Sequence, residues 1–359
     1  MRRSRISVLG AGGFLGSHIV PGLIERFGCE VDAVDISFDK LEDDDPRIRR
    51  VRGRVEDPAV VEEVTRRSSV VLSLTALCNP AQYSTIPLEV IDASFTHLLP
   101  LVKRCAERRI RLIHFSTAEV YGLRALAADG APTAEMSEDS CGLLMGPIHK
   151  ERWSYACAKQ LLERVIWAHG EHAGLPFTLI RPFNTIGARM DYLPGVDGEG
   201  TPRVLACFMN QLLRGQPLAL VDGGSQRRAF MSARDMVEAV CRVVERAKAC
   251  DKQIINLGNP GNDISIAELA QQLATAFAHE IPHAAPARFE SVAAADFYGP
   301  GYDDTYERVP DIKKARRLLS WEPQQTLADM LPEIVHDYVQ RYGSRVEADC
   351  RNLRQASGA

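Results

Sequence analysis

Short, continuously apolar runs punctuate the first half of the chain, with mixed segments between them. Arg5-Ile6-Ser7-Val8-Leu9 reads as a buried strand, and Phe14 to Ile24 as a helix with one apolar face. Pro21 falls inside that helix, where proline removes a backbone hydrogen bond at a cost of ~3 kcal/mol, so a kink is expected there. Val31-Asp32-Ala33-Val34-Asp35 is the second strand. The runs Val70 to Leu74, Leu112 to Phe115 and Phe177 to Ile180 read as further strands, with helical segments between them. Such alternation predicts an α/β fold built on a doubly wound parallel sheet. After Pro182 the texture changes to loops rich in Gly and Pro, as in Tyr192-Leu193-Pro194-Gly195-Val196-Asp197-Gly198. Ile254-Ile255-Asn256-Leu257-Gly258 then reads as a strand returning to the sheet. Two interleaved lobes follow: residues 1–183, rejoined by 221–262, make the sheet domain, and residues 184–220 and 263–345 make a smaller C-terminal lobe. The polar stretch 346–359 reads as a flexible tail.

Composition narrows the class without choosing a function. With 359 residues, 45% hydrophobic and 25% charged, the chain has the balance of a soluble globular protein. A formal net charge of −4 gives no pull toward nucleic acid or an anionic membrane, and neither is expected as a partner. No apolar run reaches the ~18 residues of a membrane span. Arg2, Arg3 and Arg5 ahead of an apolar stretch loosely mimic a leader peptide, but glycines break that stretch and it reads as mature structure. Nine cysteines, an odd number without C-x-x-C spacing, suggest reduced thiols and a cytoplasmic protein. His169/His172 and His279/His283 have ligand-like spacing but lack Cys or carboxylate companions, so no metal is expected.

The first strand runs straight into Gly10-Ala11-Gly12-Gly13-Phe14-Leu15-Gly16, which opens the first helix. Strand, glycine turn and helix in that order are the context of a dinucleotide site in a Rossmann-type fold. Without side chains, Gly10, Gly13 and Gly16 let a pyrophosphate reach the backbone N–H groups at the helix start. Phe14 and Leu15 lie in the same turn, and Leu74 and Ala76 at the end of a neighbouring strand complete the expected cofactor site. Asp35 lies about 20 residues beyond the turn, where a carboxylate binds ribose hydroxyls and repels a 2′-phosphate; NAD is therefore expected over NADP. The basic cluster Arg47, Arg49, Arg50, Arg52 and Arg54 argues the other way unless it is a solvated face.

Tyr155 and Lys159, in Trp153-Ser154-Tyr155-Ala156-Cys157-Ala158-Lys159, stand four apart and share a helix face. An ammonium so placed can lower a phenol pKa that is ~10 when unperturbed. Reaching neutrality takes ~3 units, or ~4 kcal/mol of differential stabilisation. Such a phenol serves as a general base toward a sugar or alcohol hydroxyl. Upstream, the strand ending at Phe115 leads into Ser116-Thr117-Ala118-Glu119-Val120-Tyr121, placing a hydroxyl and a carboxylate where α/β sheets hold ligands.

At these residues the chain resembles the extended short-chain dehydrogenases/reductases that act on nucleotide sugars. Within them it is most similar to the UDP-glucuronate decarboxylase group, on the branch that makes UDP-apiose and UDP-xylose. The similarity runs from about Arg5 to Tyr342. It includes Leu77-Cys78-Asn79-Pro80-Ala81-Gln82-Tyr83, Arg181-Pro182-Phe183-Asn184, Thr201-Pro202-Arg203-Val204-Leu205-Ala206-Cys207-Phe208 and Gly301-Tyr302-Asp303-Asp304. The resemblance implies NAD as cofactor, a UDP-sugar as substrate and a homodimer formed through paired helices. It implies that Tyr155, with Lys159 and Thr117, takes the proton from the sugar's 4-hydroxyl as carbon 4 is oxidised. The 4-ketone is β to the carboxylate on carbon 5 and accepts the electrons left when carbon dioxide departs. Arg308 matches the arginine of the carboxylate region, and a planar guanidinium suits that task. Glu119 matches a carboxylate near carbon 5. Tyr83 and Tyr302 match the sugar pocket, and Asn184, Arg203, Gln226 and Arg228 the uridine diphosphate site. Taken as bare residues, Arg308 and the other arginines could be surface charges, Glu119 a loop cap and Tyr83 a core aromatic.

Other reactions of the same fold fit these positions less well. Where 4,6-dehydratases carry Thr-Asp-Glu, this chain has Thr117-Ala118-Glu119, and alanine cannot protonate a departing hydroxyl. The 4-epimerases usually lack both the acid and the arginine motif. After decarboxylation three products are open: UDP-xylose by reduction, UDP-apiose by ring contraction, and released UDP-4-keto-pentose with NADH. Two cysteines accompany ring contraction in the apiose synthases; Cys78 matches one, and Ala118 stands in place of the other. A dinucleotide-binding sensor or scaffold without catalysis is the alternative of another class, but such proteins commonly lose the tyrosine or lysine that this chain keeps.

Overall fold

The computed structural model describes residues 5–298 and 308–357, apart from 124, 127–131, 134, 140–142 and 144. The chain opens with β1 (Arg5–Leu9), α1 (Phe14–Phe27), β2 (Glu30–Asp35), β3 (Ile48–Arg52), α2 (Pro58–Arg67) and β4 (Val70–Ser73). It continues through α3 (Leu99–Arg108), β5 (Arg111–Phe115), α4 (Ser154–Ala173) and β6 (Phe177–Pro182). Beyond these come β7 (Asn184–Ile186), α5 (Val204–Leu213), β8 (Arg227–Ser232), α6 (Ala233–Glu245) and β9 (Gln253–Leu257). The last elements used below are β10 (Asp263–Ser265), α7 (Ile266–Glu280) and α8 (Leu327–Ser357).

Seven strands form one sheet in the order β9-β6-β5-β4-β1-β2-β3, with every neighbouring pair parallel. Helices cover both faces of such a sheet, which is why its strands read as continuous apolar runs and not as alternating ones. The order reverses beside β1, so a crevice opens beyond the ends of β1 and β4, where doubly wound sheets bind ligands. The five strands expected in the first half are present to within two residues at either end, and the returning strand is β9, hydrogen-bonded to β6.

The helix that holds Pro21 runs on to Phe27, where Gly28 closes it in the left-handed region at φ +57°. Two features differ from the sequence reading. The edge strand β3 is hidden in the sequence because its pattern, Ile-Arg-Arg-Val-Arg, looks like a charge run. Arg49 of this strand donates to the buried Asp32 of β2 at 2.9 Å and pairs with Glu63, while Arg47, just before the strand, pairs with Asp45. Finally, α8 continues as helix through the stretch expected as a tail, and Val346 is buried.

A second core packs α5, α7 and α8 around Leu205, Phe208, Leu273, Val335 and Tyr338. It sits beside a small sheet in which β8 pairs parallel with β7 and antiparallel with β10.

Candidate active site

A cavity of about 910 Å³ runs from the glycine turn to the far side of the sheet ends. It is lined at one end by Gly10, Gly13, Phe14, Leu15, Gly16, Asp35, Leu74 and Ala76, and at the other by Thr117, Glu119, Tyr155 and Arg308. Residues far apart in sequence are thus brought to one place by the parallel order of the strands.

The cofactor end is shaped by missing side chains. Gly10 has φ +85°, and a Cβ there would lie 3.1 Å from Leu74 of the neighbouring strand. A Cβ on Gly16 would come within 2.2 Å of the Gly10 carbonyl oxygen. No side chain caps the start of α1, which leaves the helix N-terminus open to an anion. At the end of β2, the Asp35 carboxylate accepts from Gly12 N–H at 2.9 Å and from Ile36 N–H at 2.7 Å, which fixes it against the turn. A bare turn, an open helix start and a fixed carboxylate in one cavity fit a dinucleotide. The arginines that argued for a 2′-phosphate are largely occupied elsewhere: Arg54 pairs with Glu56, and Arg50 donates to the carbonyls of Leu41 and Asp43.

At the chemistry end, Tyr155 and Lys159 project from the first turns of α4 and are both buried. The Tyr155 ring stacks on Tyr83, centroids 4.8 Å apart and planes 12° from parallel. Thr117, two residues beyond the end of β5, lies close enough to the Tyr155 phenol to act on its pKa, and its hydroxyl accepts from Glu119 N–H at 3.1 Å. Lys159 has a backbone partner of its own. Its ammonium donates to the Phe115 carbonyl at 2.9 Å, and burial pulls its pKa down to about 8. Burial holds the Tyr155 phenol well above its ordinary value, reinforced by the Cys78 and Glu119 charges. Thr117 and the Arg203 charge act in the opposite direction.

Glu119 is the electrostatic centre of the sugar end. Burial alone would raise its pKa, but Arg152 and Arg308 outweigh that and hold it at about 2. Arg152 lies 2.7 Å from one carboxylate oxygen, and Arg308 donates to the other. Arg152 was not singled out in the sequence, although it stands one helical turn before Tyr155. Its guanidinium also lies 5.7 Å over the Tyr83 ring and 5.1 Å over Trp153. Tyr83 is therefore both a buried aromatic and part of the cavity wall.

The remaining expected residues are placed as follows. Cys78 is exposed and lines the cavity, as do Asn184, Arg203, Gln226 and Arg228. Arg203 is held by Asp191 at 3.0 Å and lies 5.8 Å over the Phe14 ring, bridging the two ends of the site. Asn184 donates to the Ala229 carbonyl at 3.4 Å, Gln226 to that of Val221 at 3.2 Å, and Arg228 to that of Arg227 at 2.7 Å. Tyr302 lies outside the described residues. Ala118 is buried against Tyr121, Met136 and Phe183. Among the described residues no group of three or more His, Cys, Asp or Glu side chains is arranged to hold a metal ion. None of the described helices is long and apolar enough to cross a membrane.

Comparison with known proteins agrees with this layout. The model of the NAD-dependent epimerase/dehydratase family matches residues 6–258. The chain is 42% identical to the UDP-D-apiose/UDP-D-xylose synthase of Oryza sativa subsp. japonica, over 99% of this chain and 93% of that protein. Against UDP-D-apiose/UDP-D-xylose synthase 1 of Arabidopsis thaliana it is 41% identical, over 91% of this chain and 89% of the relative. Among solved structures, the PbgP3 protein from Burkholderia pseudomallei superposes with a TM-score of 0.81 at 34% identity, covering 97% of this chain and 98% of its own. The UDP-glucuronic acid 4-epimerase from Bacillus cereus, solved with UDP-glucuronic acid and NAD, shares the fold at TM-score 0.76 and 21% identity, with 94% and 100% covered.

Proposed function

The chain belongs to the NAD-dependent epimerase/dehydratase family, and from that premise we propose that it oxidises and decarboxylates UDP-glucuronate, giving UDP-xylose, UDP-apiose or both. The observation that carries this reading is the buried Glu119 carboxylate held between Arg152 and Arg308, in the same cavity as Tyr155.

When bound at the glycine turn, NAD supplies the acceptor for the hydride of carbon 4 and can return it. Tyr155, in contact with Thr117, takes the proton of the 4-hydroxyl and gives it back in the final reduction. Lys159 and Arg203 supply positive charge to the Tyr155 region, against the burial that favours the neutral phenol. Once carbon 4 is a ketone, the bond from carbon 5 to the carboxylate breaks. Its electron pair enters the ketone as an enolate, carbon dioxide leaves, and a proton returns to carbon 5. Arg308 and Arg152 orient the sugar acid, and their two charges against the single charge of Glu119 leave one positive charge over for its carboxylate. Arg203, Arg228, Gln226 and Asn184 hold the uridine diphosphate, and Cys78 faces the sugar.

Residues 1–183 with 221–262 serve as the cofactor domain, and 184–220 with 263–345 as the substrate lobe. Leu161 on α4 and Leu88 on the neighbouring helix Pro87–Ser94 are exposed, which supports a homodimer through that face. The seven described free cysteines support a cytoplasmic location. Incubating the purified protein with UDP-glucuronate and NAD, with carbon dioxide and NADH followed and products identified by NMR, tests the reading. Carbon dioxide without accumulating NADH is expected. Stoichiometric NADH would mean that the ketone is released, and no carbon dioxide would overturn the assignment.

A further inference from the structure

Behind the cavity lies a second set of buried polar groups that the chemistry above does not use. Glu163 stands one helical turn beyond Lys159 on α4, on the same face. Both of its oxygens accept from Arg181 of β6, at 2.9 and 2.7 Å, and the two side chains are 5% and 4% exposed. The Arg181 guanidinium lies 4.8 Å over the ring of Tyr121. Tyr121 ends the short turn Ala118–Tyr121 that carries Glu119, and its hydroxyl donates to Asn256 Oδ1 at 2.9 Å. Asn256, wholly buried on β9, donates through Nδ2 to the carbonyls of Met136 at 2.8 Å and Asp311 at 3.2 Å. Those carbonyls belong to two backbones that also pair directly, Val309–Pro310 alongside Glu135–Met136, and Asp311 N–H donates to Met136 O at 3.0 Å. Arg308 is the residue just before this junction.

We propose that Glu163, Arg181, Tyr121 and Asn256 are positioning residues that hold the Glu119–Arg308 pair in register with the proton-transfer pair Tyr155 and Lys159. The path is continuous. It starts on the helix of Tyr155 and Lys159, crosses β6, meets the turn of Glu119 at Tyr121, and ends by clamping the segment from which Arg308 projects. A buried ion pair contributes little net stability, because desolvating two charges offsets most of their attraction. Its geometric definition is another matter: a bidentate pair under a stacked ring, followed by a fully bonded carboxamide, admits one arrangement. Arg308 immediately precedes the Val309–Pro310 pairing. Its placement depends on where that junction is held.

The experiment is a double-mutant cycle on the full chain, resting on the decarboxylase reading for its kinetic arm. Tyr121→Phe and Asn256→Leu are made in the wild-type and Arg308→Ala backgrounds, and carbon dioxide release from UDP-glucuronate is measured. If the two residues act through Arg308, each lowers kcat about tenfold in the wild type with KM changed less than about twofold, and less than about twofold in the Arg308→Ala background. Equal losses in both backgrounds overturn the proposal. Should Asn256→Leu fail to fold, Asn256→Asp keeps the acceptor for Tyr121 and loses both donated bonds. A second arm needs no turnover: amide hydrogen exchange should quicken at residues 119–121 and at Val309 and Asp311 in the Asn256 variant, with α4 unchanged. Unaltered exchange at those amides overturns the proposal. Absence of carbon dioxide from the wild type would overturn the decarboxylase reading alone, and the exchange arm would then decide the network by itself.

Discussion

Tyr83 and Tyr155 lie face to face, their ring centroids 4.8 Å apart and their planes 12° from parallel. The stack fixes the direction in which the Tyr155 phenol points, because a ring held between a helix and a second ring cannot swing about χ1. It also explains the high pKa of both phenols. Each ring takes water from the other, and burial is the leading cause of the upward shift in both. A tyrosine proposed to take a proton is thus held rigid at the cost of acidity, and in the proposed reaction it is left to the positive groups around the site to restore it.

Tyr155→Phe removes the phenol and leaves the ring that stacks on Tyr83. Carbon dioxide release from UDP-glucuronate should fall by about 10²–10⁴-fold, the usual worth of a positioned acid–base group. Thermal stability should stay close to that of the wild type, since the stack and the helix are kept. A mutant with near-normal turnover would remove Tyr155 from the chemistry.

Arg308→Ala leaves Glu119 paired with Arg152 alone. Decarboxylation should suffer more than nucleotide binding, with kcat reduced by about tenfold or more while calorimetric affinity for UDP changes by less than about threefold. A parallel loss of both would mean that Arg308 serves the fold. Glu119→Gln is the complementary variant. It leaves two buried guanidinium groups without their shared anion, a change of the kind that costs about 3–5 kcal/mol of stability.

Much of this site is legible in the sequence because its signals are local. The glycine turn, Asp35 at the end of β2 and the Tyr155/Lys159 spacing each depend on a few neighbouring residues whose geometry follows from the element that carries them. The strand β3 was hidden because its Arg49 projects to an edge where it meets Asp32 and Glu63, and such a pattern resembles a solvated charge run. Arg152 was missed for a different reason. Its role comes from Glu119, 33 residues earlier in the chain, and from the Tyr83 ring, and neither contact has a periodicity to read. The partner of Lys159 was hidden for a third reason: spacing fixes the helix face of a side chain but not its hydrogen-bond partner, which is the Phe115 carbonyl.

Lys159 gives the pH profile a definite sign. Burial lowers its pKa to about 8, so the ammonium is complete below that value and is lost as pH rises through it. Activity that depends on this positive charge should therefore fall on the alkaline side with a midpoint near pH 8. Glu119, held at about 2, stays ionised across the working range and adds no acid limb above about pH 3. A profile of kcat/KM from pH 5 to 10 checks this. An alkaline limb that keeps its midpoint in a Lys159→Met variant would assign it to another group.

Ala118 bears on the product. The resemblance places two thiols near the sugar for ring contraction, and here Cys78 faces the cavity while Ala118 is buried against Tyr121, Met136 and Phe183. A methyl group neither gives nor takes a proton. Ala118→Cys adds one sulfur at the turn between Thr117 and Glu119, within a packed cluster, where overpacking costs about 1–3 kcal/mol. Some loss of thermal stability is therefore expected. If the second thiol is what ring contraction lacks, the share of UDP-apiose among the products should rise at the expense of UDP-xylose. NMR of the product mixture reads the ratio directly. An unchanged ratio in a folded, active variant would mean that the product is set elsewhere in the pocket, with Cys78 and the walls around it the next residues to test.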